Sequence, residues 1–498
     1  MKKQLAIAAF FALASTLTAQ NIGVGTTTPV SKFSVGTTSQ FQVDTIGNIK
    51  RINNVAYSFP STQANAGQVL SNNGTGQLSW VSQLGGWSLT GNSGNPAGYF
   101  IGTTDTMPLY FRVNNVQSGI IDQVKANIFM GSNAGGTVAT GDGNSAIGFN
   151  SLSSLTSGTS NSAIGTNSLR FNSSGSSNVS IGANALYTNT VGSSLTAIGS
   201  SALYANTTGS SNTAIGANAL ITNTQGSSNT ALGNNALYLN TLGGSNTAIG
   251  TSTMYSNLIG ALNTAIGSGA LYLNTNGSTN TAIGNTALYN ATTSSNTAVG
   301  STSLLTLRTG ESNTALGAGA DVSFDSLNNT TSIGAGAISV GHNQITLGNV
   351  NVTNVRSAGT YGTLSDGRFK ENVTENVSGL AFIMQLRPVT YTLNTEKLHK
   401  NSSQYNNAKP LNAEAYKAAS AVVHTGFIAQ EVEAAANKIN YNFDGVYKPT
   451  NATDNYSLSY AQFVVPLVKS VQELNKKIED QEAIIKSLMM RLEALENK

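Results

Sequence analysis

Asn263-Thr264-Ala265-Ile266-Gly267-Ser268-Gly269-Ala270-Leu271-Tyr272-Leu273-Asn274-Thr275-Asn276-Gly277-Ser278-Thr279 is one unit of a repeat, and its period decides the architecture. The triplet Ala-Ile-Gly, or a close variant, ends at Gly148, Gly165, Gly182, Gly199, Gly216, Gly233, Gly250, Gly267 and Gly284, always 17 residues apart. Gly300, Gly317 and Gly334 follow at 16, 17 and 17, and Gly348 closes the series at 14. A unit of this length is too short for two helices and lacks helical apolar spacing. It suits a coil of two short strands and two turns, as in β-solenoids and β-rolls. About 12 coils at roughly 4.8 Å each predict a shaft on the order of 60 Å long. The unit shortened by one residue is expected to lose it near Tyr289-Asn290.

Four columns follow from stacking the units. Asn212, Asn229, Asn246, Asn263 and Asn280 can form an amide ladder. Ile147, Ile164, Ile181, Ile198 and Ile215 form one apolar stripe, and Leu186, Leu203, Leu220, Leu237 and Leu271 a second. Tyr187, Tyr204, Tyr238, Tyr255, Tyr272 and Tyr289 come directly after the Leu positions. Neighbouring residues of a strand point to opposite faces, so Leu and Tyr cannot both fill a thin interior. An outward apolar or aromatic stripe marks an interface, and side-by-side association of several chains is expected. A solvent-facing tyrosine ladder is the alternative.

Composition agrees with an elongated, hydroxyl- and amide-covered surface. Of 498 residues only 9% are charged, against about 25% in an ordinary soluble protein. Residues 131–350 carry six formal charges, whereas residues 365–498 hold 15 of the 25 Lys/Arg and 15 of the 22 Asp/Glu. A low-charge shaft is therefore followed by an ordinary charged domain. The net charge of +3 includes Lys2 and Lys3, and no basic stripe exists, so binding to nucleic acid has no support. No Cys is present, and His342, His399 and His424 stand too far apart for a local metal pattern. Neither a metal nor a cofactor is expected. Glycoside hydrolysis generally needs two carboxyl groups, and none occurs between Asp142 and Glu311, which disfavours a glycan-cleaving tailspike.

Met1-Lys2-Lys3 ahead of the apolar run Leu5 to Ala14 and the small residue Ala19 reads as a secretory signal peptide over residues 1–19. The run is shorter than the roughly 20 residues a membrane span needs, and no other transmembrane segment is found. A secreted or cell-surface location is expected. Residues 20–85 read as a β-rich segment of short strands. Residues 86–130, with Trp87, Tyr99, Phe100, Tyr110 and Phe111, read as a small β module or cap. The repeats fill 131–348, and 349–364 is a linker.

Past the linker come Leu364-Ser365-Asp366-Gly367-Arg368-Phe369-Lys370-Glu371-Asn372-Val373, then Gly426-Phe427-Ile428-Ala429-Gln430-Glu431-Val432, then the run from Tyr460-Ala461-Gln462-Phe463 to Leu474. Together, in this order, they resemble the C-terminal intramolecular chaperone of endosialidase-type phage tail fibres over residues 365–498. A similar self-processing domain occurs in the myelin regulatory factor. The resemblance implies a trimerising chaperone that cuts itself off, with Ser365 as nucleophile, Lys370 as general base, and the cut between Leu364 and Ser365. A lysine serves as base only if desolvation or a cationic neighbour favours its neutral form, and Arg368 is a candidate neighbour. Five residues along a helix separate two side chains by about 140°, so the pair should sit on a turn, eased by Gly367 and capped or oriented by Asp366. His424 is a further supporting candidate, read as structural in the first place. The Ala-Ile-Gly coils resemble the left-handed β-roll heads of trimeric autotransporter adhesins.

Val464, Leu467, Val471, Leu474, Ile478, Gln481, Ile485, Leu488, Leu492 and Leu495 alternate in steps of three and four, which predicts a coiled coil over 464–498. Lys477 with Glu482 and Arg491 with Glu496 fall at positions suited to interchain pairs. The expected fold is mainly β, a 17-residue-repeat β-solenoid or β-roll shaft, trimeric, followed by an α+β chaperone domain ending in a coiled coil. The expected function is an exported homotrimeric fibre or adhesin-like protein matured by one autoproteolytic serine-peptidase cut. Its partners would be itself and a cell-surface or glycan ligand. The alternative is a structural surface protein that trimerises through the same domain and never cuts.

Overall fold

The computed structural model describes residues 22–24, 33–35, 41–44, 49–53, 55–66, 68–82, 100–136, 140–359, 362–402 and 413–497. The expected signal peptide lies outside the described residues, as do Trp87 and Tyr99. The chain divides into two units, Met1–Gly102 and Thr103–Lys498.

In the first unit, five short strands between Ile22–Val24 and Val55–Ala56 pair in sequence order. A hairpin joins Gln68–Asn72 to Leu78–Ser82. Asn72 Oδ1 accepts the Gly74 N–H at 3.0 Å, an Asx-type turn that lets the chain reverse.

The second unit opens with three antiparallel strands, Leu109–Val113, Val116–Asp122 and Asn127–Met130. The last of these begins the shaft: it pairs in parallel with Ser145–Ile147, and the pairing then repeats coil after coil to Ile345–Leu347. One 16-stranded sheet results, 14 strands of which form the parallel stack. Equivalent residues sit in register, for example Thr213 on Thr230, Ala214 on Ala231 and Ile215 on Leu232. Within each three-residue strand the period of two turns Ala inward, and Ala214, Ala231 and Ala248 are fully buried. Thr and Ile turn outward. The glycine that follows must be glycine. At Gly216 φ is +136°, and an added Cβ would lie 2.4 Å from the carbonyl oxygen of Gly233 on the next coil.

Through most of the shaft each coil contains one strand, not the two that the period suggested. The Asn-Ala-Leu-Tyr segment is a turn, because Asn218 and Leu220 take left-handed φ values of 57° and 52°. That bend aims Leu220 into the coil, where it and its equivalents are fully buried. A left-handed Leu costs roughly 1–2 kcal/mol, and burying its side chain returns about as much or more. A second pair of strands, Asp321–Val322 with Ile338–Ser339, forms only in the last coils.

Two asparagine columns line the interior. In the expected one, Asn229 donates from its backbone N–H and its Nδ2 to Asn212 Oδ1, at 2.9 and 3.1 Å, and the bonds recur at Asn246 and Asn263. A second column runs from Asn172 to Asn274, each Nδ2 donating to the Oδ1 of the coil before, as Asn274 does to Asn257 at 2.8 Å. Ala291 takes the next place in this column, leaving the buried Asn274 Oδ1 without a donor. The shortened unit loses its residue later than expected. Ser278 N–H meets Ser294 Oγ at 3.0 Å, 16 residues on, so the missing residue is the counterpart of Asn276 at an exposed corner, not one near Tyr289-Asn290. A loss there leaves the buried columns in register.

The outward residues form two more columns. Tyr238, Tyr255, Tyr272 and Tyr289 are half-buried and stack with ring centroids 4.8–5.1 Å apart. The Ile column is an apolar edge along the sheet, with Ile147 48% exposed, Leu232 43% and Leu316 50%.

The C-terminal region builds a small aromatic core from Phe382, Val432, Ala435, Ala436, Phe443 and Phe463. Phe382 comes from the helix Leu380–Ile383, Val432 from Ala429–Lys438, and Phe463 stands just before the helix Val464–Glu496. That long helix touches the core through its first turns, where Pro466 and Ser470 are buried. Glu473 Oε2 also accepts the Leu380 N–H at 2.8 Å, capping the short helix. Beyond Glu473 every described residue of the helix is exposed, and its seam residues Leu474, Ile478 and Leu488 are 46–55% exposed.

Candidate active site at the Ser365 turn

Ser365 and Lys370 flank a single turn of 3-10 helix, Gly367–Phe369. Asp366 starts the turn by accepting the Arg368 backbone N–H on Oδ1 at 2.9 Å, and the Lys370 N–H closes it on the Gly367 carbonyl. The tight turn folds five residues back on themselves, and Lys370 Nζ donates to Ser365 Oγ at 2.8 Å. A longer helical path would have held the two apart.

Arg368 is bound to Asp366. Its guanidinium grips Asp366 in a fork, Nη2 to Oδ2 at 2.6 Å and Nε to Oδ2 at 3.0 Å. The hydrogen bonds from Arg368 hold the Asp366 carboxyl below its ordinary range, and the same contact raises Arg368. The two charges of the pair offset each other. His424 belongs to the folded body. It lies in the strand His424–Gly426 opposite Val389–Tyr391, and its described partner is the Tyr391 ring, 5.6 Å between centroids.

The turn itself stands in solvent. Leu364 is 95% exposed and Phe369 79%, and Ser365 and Lys370 are exposed as well. Within one chain Ser365 and Lys370 are thus hydrogen-bonded to each other and exposed to solvent.

The second and third sequence motifs meet in the core. Tyr460 OH accepts the Phe427 N–H at 3.1 Å, and the Phe427 and Phe463 rings stack 5.3 Å apart. Gly426 lets the Tyr460 side chain come close, since a Cβ there would lie 2.1 Å from the Tyr460 hydroxyl and force it to move. Arg387 adds a forked ion pair to Glu431. Motif reading found Gly426, Phe427, Glu431, Tyr460 and Phe463 but not Arg387, nor the contacts among them, because the partners lie more than 30 positions apart.

Among the described residues no group of three His, Asp or Glu is placed to hold a metal ion, and no helix is long and apolar enough to cross a membrane. Residues 365–440 match the model of a peptidase family described as the chaperone of endosialidase. No curated protein matches the chain. The matched segment contains the Ser365 turn and the Gly426–Val432 motif. A chaperone domain of this kind behind a β-solenoid shaft fits a tail-fibre-like protein. The match points to a self-cleaving, peptidase-related domain that self-associates, and it is consistent with a secreted or surface protein.

Proposed function

We propose that the protein is an exported homotrimeric fibre whose C-terminal domain drives assembly and then frees itself by one cut between Leu364 and Ser365. The observation that carries this reading is the 2.8 Å contact between Lys370 Nζ and Ser365 Oγ, directly after the bond to be cut. Ser365 Oγ attacks the Leu364 carbonyl carbon as its proton passes to neutral Lys370. The C–N bond breaks, the proton returns to the leaving amine of Ser365, and an ester joins Leu364 to Ser365 Oγ. Water then opens the ester to a Leu364 carboxylate and a free hydroxyl.

Assembly supplies what the single chain lacks. Lysine becomes a base by losing its proton, which desolvation favours. Two apolar surfaces call for partners: the seam beyond Ser470 and the Ile column of the shaft. Packing three chains along both lays neighbouring chains beside the exposed Ser365 turn. The test is the intact mass of the secreted protein together with its oligomeric state. A chain shortened by residues 365–498 in a trimer supports the reading, and a whole chain in a demonstrated trimer refutes it.

A second reading is a trimeric fibre that never cuts. One observation favours it: Asp366 neutralises Arg368, the cation closest in sequence to the dyad. The same mass measurement separates the two.

A further inference from the structure

The C-terminal domain touches the shaft through a loop that the cleavage reading does not use. Thr453 and Ser323 are both fully buried, and their hydroxyl oxygens are 3.0 Å apart across 130 positions. Asn451 Nδ2 donates to the Val340 carbonyl at 2.6 Å. Ser323 follows the strand Asp321–Val322, and Val340 follows Ile338–Ser339, so the loop bridges the two adjacent coils of the shaft's second sheet. Those coils are themselves joined there by the Ser323 N–H on the Ser339 carbonyl at 2.9 Å.

The loop is built to hold this shape before it binds. Asp454 Oδ2 accepts the Tyr447 hydroxyl and both the N–H and hydroxyl of Thr450, at 2.9–3.1 Å. Asn451 Oδ1 accepts the backbone N–H groups of Thr453 and Asp454, each at 3.0 Å. Asn401 Nδ2 reaches the Thr453 carbonyl from a neighbouring helix at 3.3 Å. Tyr447 closes over Gly341, where a Cβ would come within 2.8 Å of its hydroxyl. By contrast, residues 352–359 of the covalent connection are exposed throughout.

We infer that the loop Thr450–Asn455 is a non-covalent clamp on the last two coils, and that it keeps the C-terminal domain on the shaft after the connecting chain is cut. The clamp recognises stacked coils, because Ser323 and Val340 come side by side only when the two coils pair. A cut between Leu364 and Ser365 alone therefore leaves a nicked complex, and release needs the clamp to open. This rests on the self-cleavage reading only for its consequence in the native chain.

The test cuts the chain by other means. In full-length protein carrying Ser365→Ala, a site-specific protease sequence is inserted after Arg356 and cleaved to completion. Size-exclusion chromatography with mass analysis then reports whether the fragments travel together. Co-elution until denaturant is added is expected. Adding Asn451→Ala and Thr453→Val should weaken retention at least about tenfold, the worth of two hydrogen bonds, one buried and one part-buried. Ser323→Ala, which leaves the C-terminal domain untouched, should weaken it in the same direction, and it replaces the double variant if that one melts early before cutting. Fragments of the parent that separate at once would overturn the clamp, and so would variants that hold as firmly as the parent. Failure of native self-cleavage would leave all these outcomes readable.

Discussion

Lys370 Nζ stands 2.8 Å from Ser365 Oγ while Leu364, the residue before the serine, is 95% exposed. A Ser–Lys hydrogen bond and solvent exposure coexist in the single chain. Ser365→Ala and Lys370→Ala should each leave the chain whole while the trimer still forms. Lys370→Arg should do the same, because a guanidinium keeps its proton. Each should slow cutting at least about a hundredfold, as loss of a general base does. Intact mass over time measures it, and a Lys370→Arg chain that cuts at the parental rate removes the lysine from the mechanism.

Cutting should depend on assembly. Truncation before Val471 deletes eight of the ten seam residues and keeps the residues of the aromatic core, Ser365 and Lys370. A monomeric, uncut product is expected by light scattering and mass analysis of one sample. Efficient cutting by that monomer would show that the turn needs no cover from neighbours.

Ile249→Lys changes a half-buried residue on the outer edge of the sheet and leaves the buried Ala248 in place. The coil should keep its β circular-dichroism signature, since surface substitutions cost about 0.5 kcal/mol or less. Association of the shaft should fall. A variant that assembles as well as the parent would show that the Ile column is not the contact.

Gly216→Ala should be among the most damaging substitutions in the shaft. It puts a Cβ 2.4 Å from the Gly233 carbonyl oxygen at a φ of +136°. Conformational strain alone costs about 1–3 kcal/mol, and opening the coil stack adds to it. Thermal unfolding compared with Ala217→Gly, one residue on, checks the position dependence.

Asp321 gives the shaft's C-terminal end a pH dependence. Burial pushes its carboxyl up from 3.8 to about 7, against the hydrogen bonds from Val322 and Thr306. The folded state therefore binds the proton more tightly than the unfolded one. Stability should fall as pH rises from about 4 to about 7 and level off above that, a loss of at most about 4 kcal/mol. Asp321→Asn keeps an oxygen for Val322 N–H and an amide for Thr306 Oγ1, and it should flatten the melting temperature across this range. An unchanged slope would assign the dependence to another group.

The period of 17, the Asn212–Asn280 ladder and the heptads from Val464 were legible because they depend on spacing, and stacking turns equal spacing into contact. The same repetition hid what varies inside a coil. Whether the Leu-Tyr segment was strand or turn depended on left-handed backbone at Asn218 and Leu220, which neither residue type announces. The second asparagine column was present in the letters, and its end at Ala291 needed the register of the shortened coil.

Sequence by itself determined the repeat, the change to a charged C-terminal domain, and the serine and lysine five residues apart, since all are properties of order along the chain. Tertiary structure alone decided that Arg368 turns to Asp366, that Ile faces out while Leu faces in, and that Thr453 meets Ser323. The reason is physical. Those outcomes compare competing partners in space, and the winner depends on which groups folding leaves in solvent and which it seals from it.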